Sequence, residues 1–311
     1  MKSKIFVAIG VIVGILSLYP GMIVYGQEVN KLEVRDYINR QVKKAVEADL
    51  ATQIVEQMGD KGKINWSEGY IEAVGIGAPP ERYIGKAQAR PMALRAAKVD
   101  AYRNLLETTK GVRVDSATVV RDFAVESDVI NVAVEGLVKG AKLVNQDYLS
   151  DGTVEVTLRM PMAGGFAQVI IPKALEKKPE TAPPAPPAGP APSRDVFTGM
   201  VVDARGLQAR PAMAPKILDE NGKEVYGSMN VDKEFAVQQG MSGYARDLTA
   251  AQSNARVTTP PPANPVTVKG IKAEGPGKSN IVISNADADK IRGAADNMTF
   301  LKKCRVMIVL D

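Results

Sequence analysis

Histidine is absent from all 311 residues of this chain. That removes the side chain most used as a general base near neutral pH, the Ser–His and Cys–His nucleophile pairs, and every imidazole-ligated metal site. Cysteine is almost absent too. Cys304 stands alone, which excludes an intrachain disulfide and a thiolate cluster for zinc or iron–sulfur. It lies in the apolar run CRVMIVL, where a buried, inert thiol is the expected state. Aromatic residues make up only 5%, so a core has to be assembled from Val, Ile, Leu, Ala and Met. Nor is there a strong charge of one sign. Lys and Arg number 40 against 35 Asp and Glu, and removal of a leader carrying Lys2 and Lys4 leaves 38 against 35. So weak and evenly spread an excess argues against nucleic acid as a partner.

What is present is ordinary globular composition, 45% hydrophobic and 24% charged, in a chain long enough for two cores. Residues 1–26 read as a signal peptide. Lys2 and Lys4 precede the apolar IFVAIGVIVGILSL, Pro20-Gly21 breaks it, and Val24-Tyr25-Gly26 supplies a cleavage site before Gln27. The rival is an uncleaved anchor, through which alone the chain would touch a membrane. No Cys follows the apolar stretch, so lipid attachment at a lipobox is excluded.

Residues 27–62 form a helical lead-in. Val34, Ile38, Val42 and Ala45, then Leu50, Ile54 and Met58, recur at helical spacing, and Gly59 to Gly62 stops the run. The stretch 63–175 reads as an α/β domain. Tyr70–Ile76 is a buried strand, and the loop GAPPERYIG leads to a helix over 91–110. That helix carries Leu94, Ala97, Ala101 and Leu105 on one stripe and stops at Lys110-Gly111. Val112 to Val125 reads as extended, and Ser127 caps a short helix from Asp128 to Glu135. Ala141–Leu149 and Thr153–Met160 pair as a hairpin around Ser150-Asp151-Gly152.

Residues 176–193 are a Pro-rich linker. Seven of the fifteen residues in PETAPPAPPAGPAPS are proline, which favours an extended spacer reaching about 45 Å at roughly 3.1 Å per residue. Residues 194–311 form a second, smaller α/β domain. VFTGMVVDA, VTVKGIKAEG and NIVIS are strands, and KILDENGKEVYG is a hairpin turning at Asn221-Gly222. Helices are expected at Val231–Gln239, at Leu248–Ser253 and from an Asn285 cap to about Ala295. CRVMIVL closes the chain as a buried strand in the middle of its sheet. The fold class is therefore α+β: a two-layer sandwich of a mainly antiparallel sheet with a packed helix, and the second domain beyond the linker.

No motif survives as chemistry. Gly75-Ile76-Gly77 lacks the third glycine of a dinucleotide loop and reads as a strand end. Gly240-Met241-Ser242-Gly243 lacks the spacing of a nucleophile elbow and has no histidine to serve it. Asp287-Ala288-Asp289 and Asp219-Glu220-Asn221 read as helix-start and hairpin-turn residues rather than calcium ligands. The basic block Lys86, Arg90, Arg95 and Lys98 reads as a solvated face. No residue is nominated as catalytic, cofactor-binding or metal-ligating, and no cofactor is expected.

One stretch carries a resemblance. GIGAPPERYIGKAQARPMALRAAKVDAYRNLLETTKGVRVDS, then VEGLVKGAK and DGTVEVTLRMP, resemble the N-terminal domain of flagellar assembly protein T and the related small surface-lipoprotein domains of bacterial envelopes, over residues 70–162. The resemblance implies an exported, non-enzymatic envelope protein in the periplasm or on the periplasmic face of the outer membrane. It would act through contacts with envelope or flagellar basal-body proteins, with self-association among the contacts such a scaffold allows. The alternative is a periplasmic binding module for a glycan, peptide or anionic lipid.

Overall fold

A computed structural model of the chain describes residues 40–42, 44, 49, 51–176, 196–229, 231–293 and 297–311. The leader expected at 1–26 and the linker residues 177–193 lie outside them. The chain divides into two units, Met1–Thr52 and Gln53–Asp311. In the first, Arg40, Gln41, Val42, Lys44, Asp49 and Ala51 are helical. The second holds two sheets. No helix among the described residues is long and apolar enough to cross a membrane.

The first sheet is antiparallel throughout, in the order β1-β2-β3-β5-β4. Its strands are β1 (Val55–Met58), β2 (Gly62–Asn65), β3 (Tyr70–Gly77), β4 (Lys142–Tyr148) and β5 (Val154–Pro161). In β5, Val154, Val156, Leu158 and Met160 are buried while the residues between them are half-exposed, so the expected alternation holds. The helix lying on that face is α1 (Ala89–Lys110), which buries Ala93, Ala97, Ala101 and Leu105 and ends at Gly111. It sits unusually close because Gly75 and Gly77 of β3 face it. A Cβ on Gly75 would meet the backbone of Ala97 and Ala101, and one on Gly77 the backbone of Ala93 and Ala97. The glycine pair is thus a packing device, not a phosphate loop.

Two readings of this half are corrected. The helical spacing expected to run through Met58 ends before Val55, because Val55–Met58 and Gly62–Asn65 pair as a hairpin. Likewise Val112 to Val125 is not two strands. A tight loop closes at the Arg113–Val119 bridge, with Asp115 accepting from the N–H groups of Ala117 and Thr118 at 2.7 and 2.8 Å. The chain then enters α2 (Val120–Glu126), where Asp122 reaches back to Val119 N–H at 2.8 Å. Next is α3 (Asp128–Lys139), capped by Ser127 as expected, and after β5 comes α4 (Gly165–Glu176).

The second sheet is mixed, in the order β8-β7-β11-β10-β6-β12-β9. Its strands are β6 (Gly199–Asp203), β7 (Lys216–Leu218), β8 (Glu224–Tyr226), β9 (Gly243–Ala245), β10 (Pro265–Glu274), β11 (Asn280–Ile283) and β12 (Val306–Val309). The β7–β8 hairpin turns at Asn221-Gly222, with Gly222 at φ 76°. β12 is buried along its whole length and flanked by β6 and β9, so it lies one place from the edge rather than at the centre. The helices are α5 (Lys233–Gln239), α6 (Leu248–Gln252), α7 (Ala255–Thr258), α8 (Asn285–Arg292) and α9 (Asn297–Lys302). Ser284, not Asn285, caps α8, accepting from Asp287 N–H at 3.0 Å, and α8 ends at Arg292. Val201, Ala251, Val257, Met307 and Val309 pack on one face of this sheet. The other face joins a core continuous with that of the first sheet, and the α+β expectation holds.

Because the atoms that a Gly75 side chain would meet are backbone, Gly75→Ala should cost about 1–3 kcal/mol of stability in urea unfolding. Trimming the helix by Ala101→Gly should not rescue it. Rescue would mean that the helix adjusts and the close approach is not required.

Candidate functional site

The seam between the two sheets concentrates the buried polar chemistry. Its centre is Glu56 on β1. One carboxylate oxygen takes Arg113 Nη2 at 2.9 Å and Arg210 Nη2 at 2.6 Å, and the other takes Trp66 Nε1 at 3.2 Å. Arg113 comes from the loop after α1, whereas Arg210 comes from the segment between β6 and β7. Arg113 also donates to Pro211 O at 2.5 Å, so a single guanidinium binds both halves. Burial pushes the Glu56 carboxyl up, but the hydrogen bond and charge of Arg113, helped by Arg210 and Trp66, outweigh it and leave the carboxyl below its ordinary range.

Backbone pairing continues the seam. Met213 N–H donates to Arg113 O at 3.0 Å, Ala214 N–H to Val114 O at 2.7 Å, and Gly277 N–H to Ser116 O at 2.5 Å. Trp66 meets Tyr244 edge-on with ring centroids 5.9 Å apart. The Tyr244 hydroxyl donates to Ala212 O at 2.7 Å and accepts from Ala212 N–H at 2.9 Å. Burial pushes this phenol up to about 12, so it stays protonated throughout the neutral range.

A cavity of about 70 Å³ opens beside this pair, walled by Trp66, Met162, Ile171, Met213, Met241 and Tyr244. It has room for a few waters and falls well short of the roughly 300–1,000 Å³ of a small-molecule site. Ser242 Oγ at its wall is buried and lacks a hydrogen bond of good geometry, though it lies close enough to Tyr244 to ease that phenol's burial. No base stands by it, so Gly240 to Gly243 is a wall of the seam and not a nucleophile elbow.

Behind the cavity lies a second buried cluster. Arg256 donates to Gly240 O at 3.1 Å, to Cys304 O at 2.8 Å and to Gln239 O. It thereby staples the chain before β9 to the chain before β12, and burial pulls its pKa below the usual guanidinium value. Tyr226 Oη donates to Met241 O. Cys304 is fully buried, with φ 54°. Burial pushes its thiol up to about 11, against the pull of Tyr226 and Arg256, so the reactive thiolate is not populated near neutral pH.

The remaining motif residues are accounted for locally. Asp219 accepts from Asn221 and Lys223 N–H and from Arg292 Nη1 at 2.8 Å, and Asp287 accepts from Ser284 Oγ at 2.8 Å. In the basic block, Lys86 lies over the Tyr83 ring and Arg90 over the Tyr148 ring. Sequence reasoning missed Glu56, Trp66, Arg113, Arg210 and Tyr244. The Glu56 partners Arg113 and Arg210 lie 57 and 154 positions away, so no local pattern marks them.

Comparison with known families places one match on the chain. Residues 199–311 match the model described as Treponema pallidum Tp0624, second domain. This range begins with β6 and takes in the whole second sheet; the first sheet lies outside it. The description names a bacterium and a position in a chain, not an activity. No curated protein matches the chain.

The sole tryptophan makes the seam measurable. A carboxyl depressed by folding stabilises the fold above its unfolded pKa, and that stability is lost as pH falls through the lower folded value. Trp66 fluorescence should therefore report the seam opening below about pH 4, and Glu56→Gln should flatten that dependence. At pH 7, Glu56→Ala should cost about 3 kcal/mol, by leaving two arginines without their shared acceptor. An unchanged acid profile in Glu56→Gln would remove Glu56 from the centre of the seam.

Proposed function

We propose that this chain is an exported, non-enzymatic protein of the cell envelope that works through protein–protein contacts, in the periplasm or on the periplasmic face of the outer membrane. The observation that carries this reading is the surface of α2 and α3. Helix α3 is apolar on two sides. Val134 and Val138 are buried, and Ile130 and Leu137 pack against the core. Val129 and Val132, three residues apart on another face, are 79% and 67% exposed, and Val125 at the end of α2 is 82% exposed. Single exposed aliphatic residues are ordinary on any protein. Three valines within eight positions, on two successive helices whose other sides already fill the core, suit a surface that another protein covers.

The resemblance of residues 70–162 to the flagellar assembly protein T domain supports an envelope setting and makes flagellar basal-body proteins candidate partners. The leader-like residues 1–26 support export. The protonated Cys304 thiol is not a nucleophile near neutral pH. The reading as a binding module for a glycan, peptide or anionic lipid has less behind it, because the seam cavity is too small for such a ligand.

Val129→Lys/Val132→Lys should leave the thermal midpoint within about 2 °C of the parent, since surface changes away from packed features shift stability by roughly 0.5 kcal/mol or less. It should nonetheless abolish co-purification of envelope proteins in affinity capture from cross-linked cells. Capture that persists unchanged in the double variant would refute the assignment of this surface, and turnover of a substrate by the purified chain would refute the reading as a whole.

A further inference from the structure

The first sheet has two edge strands, β1 and β4, in different situations. β1 carries Glu56, which is engaged by Arg210 of the second half, and Arg246 donates to Gln53 O just before it at 3.1 Å. Among the described residues β4 has no such cover. Six of its seven residues are exposed and Gln146 is half-buried. Leu143, Val144 and Tyr148, with Leu149 just beyond, are each more than 40% exposed. Such a strand is a template for another strand.

The ladder fixes which backbone groups are free. Leu149 N–H donates to Thr153 O at 2.8 Å, and the register runs Tyr148↔Val154, Asp147↔Glu155, Gln146↔Val156 and Asn145↔Thr157. By the alternation of an antiparallel pair, Asp147 and Asn145 bond to β5, whereas Tyr148 and Gln146 turn their N–H and C=O groups outward. The bulge between Leu143 and Asn145 lies at the other end of the strand, so the stretch from Asn145 to Leu149 is regular. Side chains two apart bond along each face: Asn145 Nδ2 to Asp147 Oδ2 at 2.6 Å, and Gln146 Nε2 to Tyr148 Oη at 2.7 Å.

We propose that β4 pairs antiparallel with β4 of a second copy of this chain, about a two-fold axis through Gln146, joining two five-stranded sheets into one. The inference deepens the protein-contact reading and rests on it. Polar matching and the position of the bulge select the register. Centring on Gln146 sets Asn145 opposite Asp147, an amide facing a carboxylate, within the regular stretch. Centring one residue later would set Asp147 against its own mate, and one residue earlier would carry more of the pairing into the bulge. The association is weak, on the order of 1–100 µM, because one edge strand buries less than the roughly 1,200 Å² of a stable interface.

Sedimentation equilibrium on the whole chain tests it. The parent should dimerise. Gln146→Lys and Gln146→Glu each set like charges across the axis and should weaken the dimer by about tenfold or more, while an equimolar mixture of the two should restore it as a heterodimer. Should a charged variant fail to fold, Gln146→Cys decides: mild oxidation should yield a disulfide-linked dimer, since Cys304 is buried. A parent that stays monomeric at about 100 µM, or a dimer indifferent to both charges, overturns the pairing. A monomer that still co-purifies with other envelope proteins sinks only the pairing. A β4 dimer that captures nothing else upholds the pairing, while the wider set of envelope partners falls.

Discussion

Everything in the second unit depends on one carboxylate being held between two guanidinium groups. Glu56 sits on an edge strand of the first sheet, and its arginines arrive from opposite halves of the chain. Removing a carboxylate from water is costly, and only close, hydrogen-bonded cations offset that cost. Here the offset is threefold, since the Trp66 indole N–H completes the set. The same contact that satisfies the charge also ties the two halves together. Around it the apolar residues of both halves merge into one core, so the halves behave as a single body and not as beads on a string.

Much of the fold was legible in local pattern. The alanine stripe of α1 with its Gly111 stop, the alternation in β5, the hairpin that ends at Gly152 and the Asn221-Gly222 turn each follow from chemistry within a few residues. The misses share a cause. Leu50, Ile54 and Met58 are spaced by four, which places residues on one face of a helix and equally on one face of a strand, so the β1 hairpin was read as helix. The stretch Val112 to Val125 is rich in β-branched residues, which favour strands, while in α2 the buried stripe Val120, Phe123 and Ala124 and the Asp122 reach-back decide for helix. The seam was illegible for a different reason: its partners lie far apart in sequence and carry no periodicity.

The family match covers the second sheet and leaves α1 and the strands around it outside. The two sheets meet through a charge-centred seam, while three valines of α2 and α3 and the edge strand β4 stay exposed. Fold alone does not decide function.

The placing of β12 has a consequence for biosynthesis. β6 spans Gly199–Asp203, yet one of the two neighbours it pairs with is Val306–Val309, and β9 pairs only with that same late strand. As the chain leaves the ribosome, both strands wait for a partner that is made more than sixty residues after either. Long-range parallel pairing of this kind is slow to form. The second sheet therefore cannot close until β12 has been made.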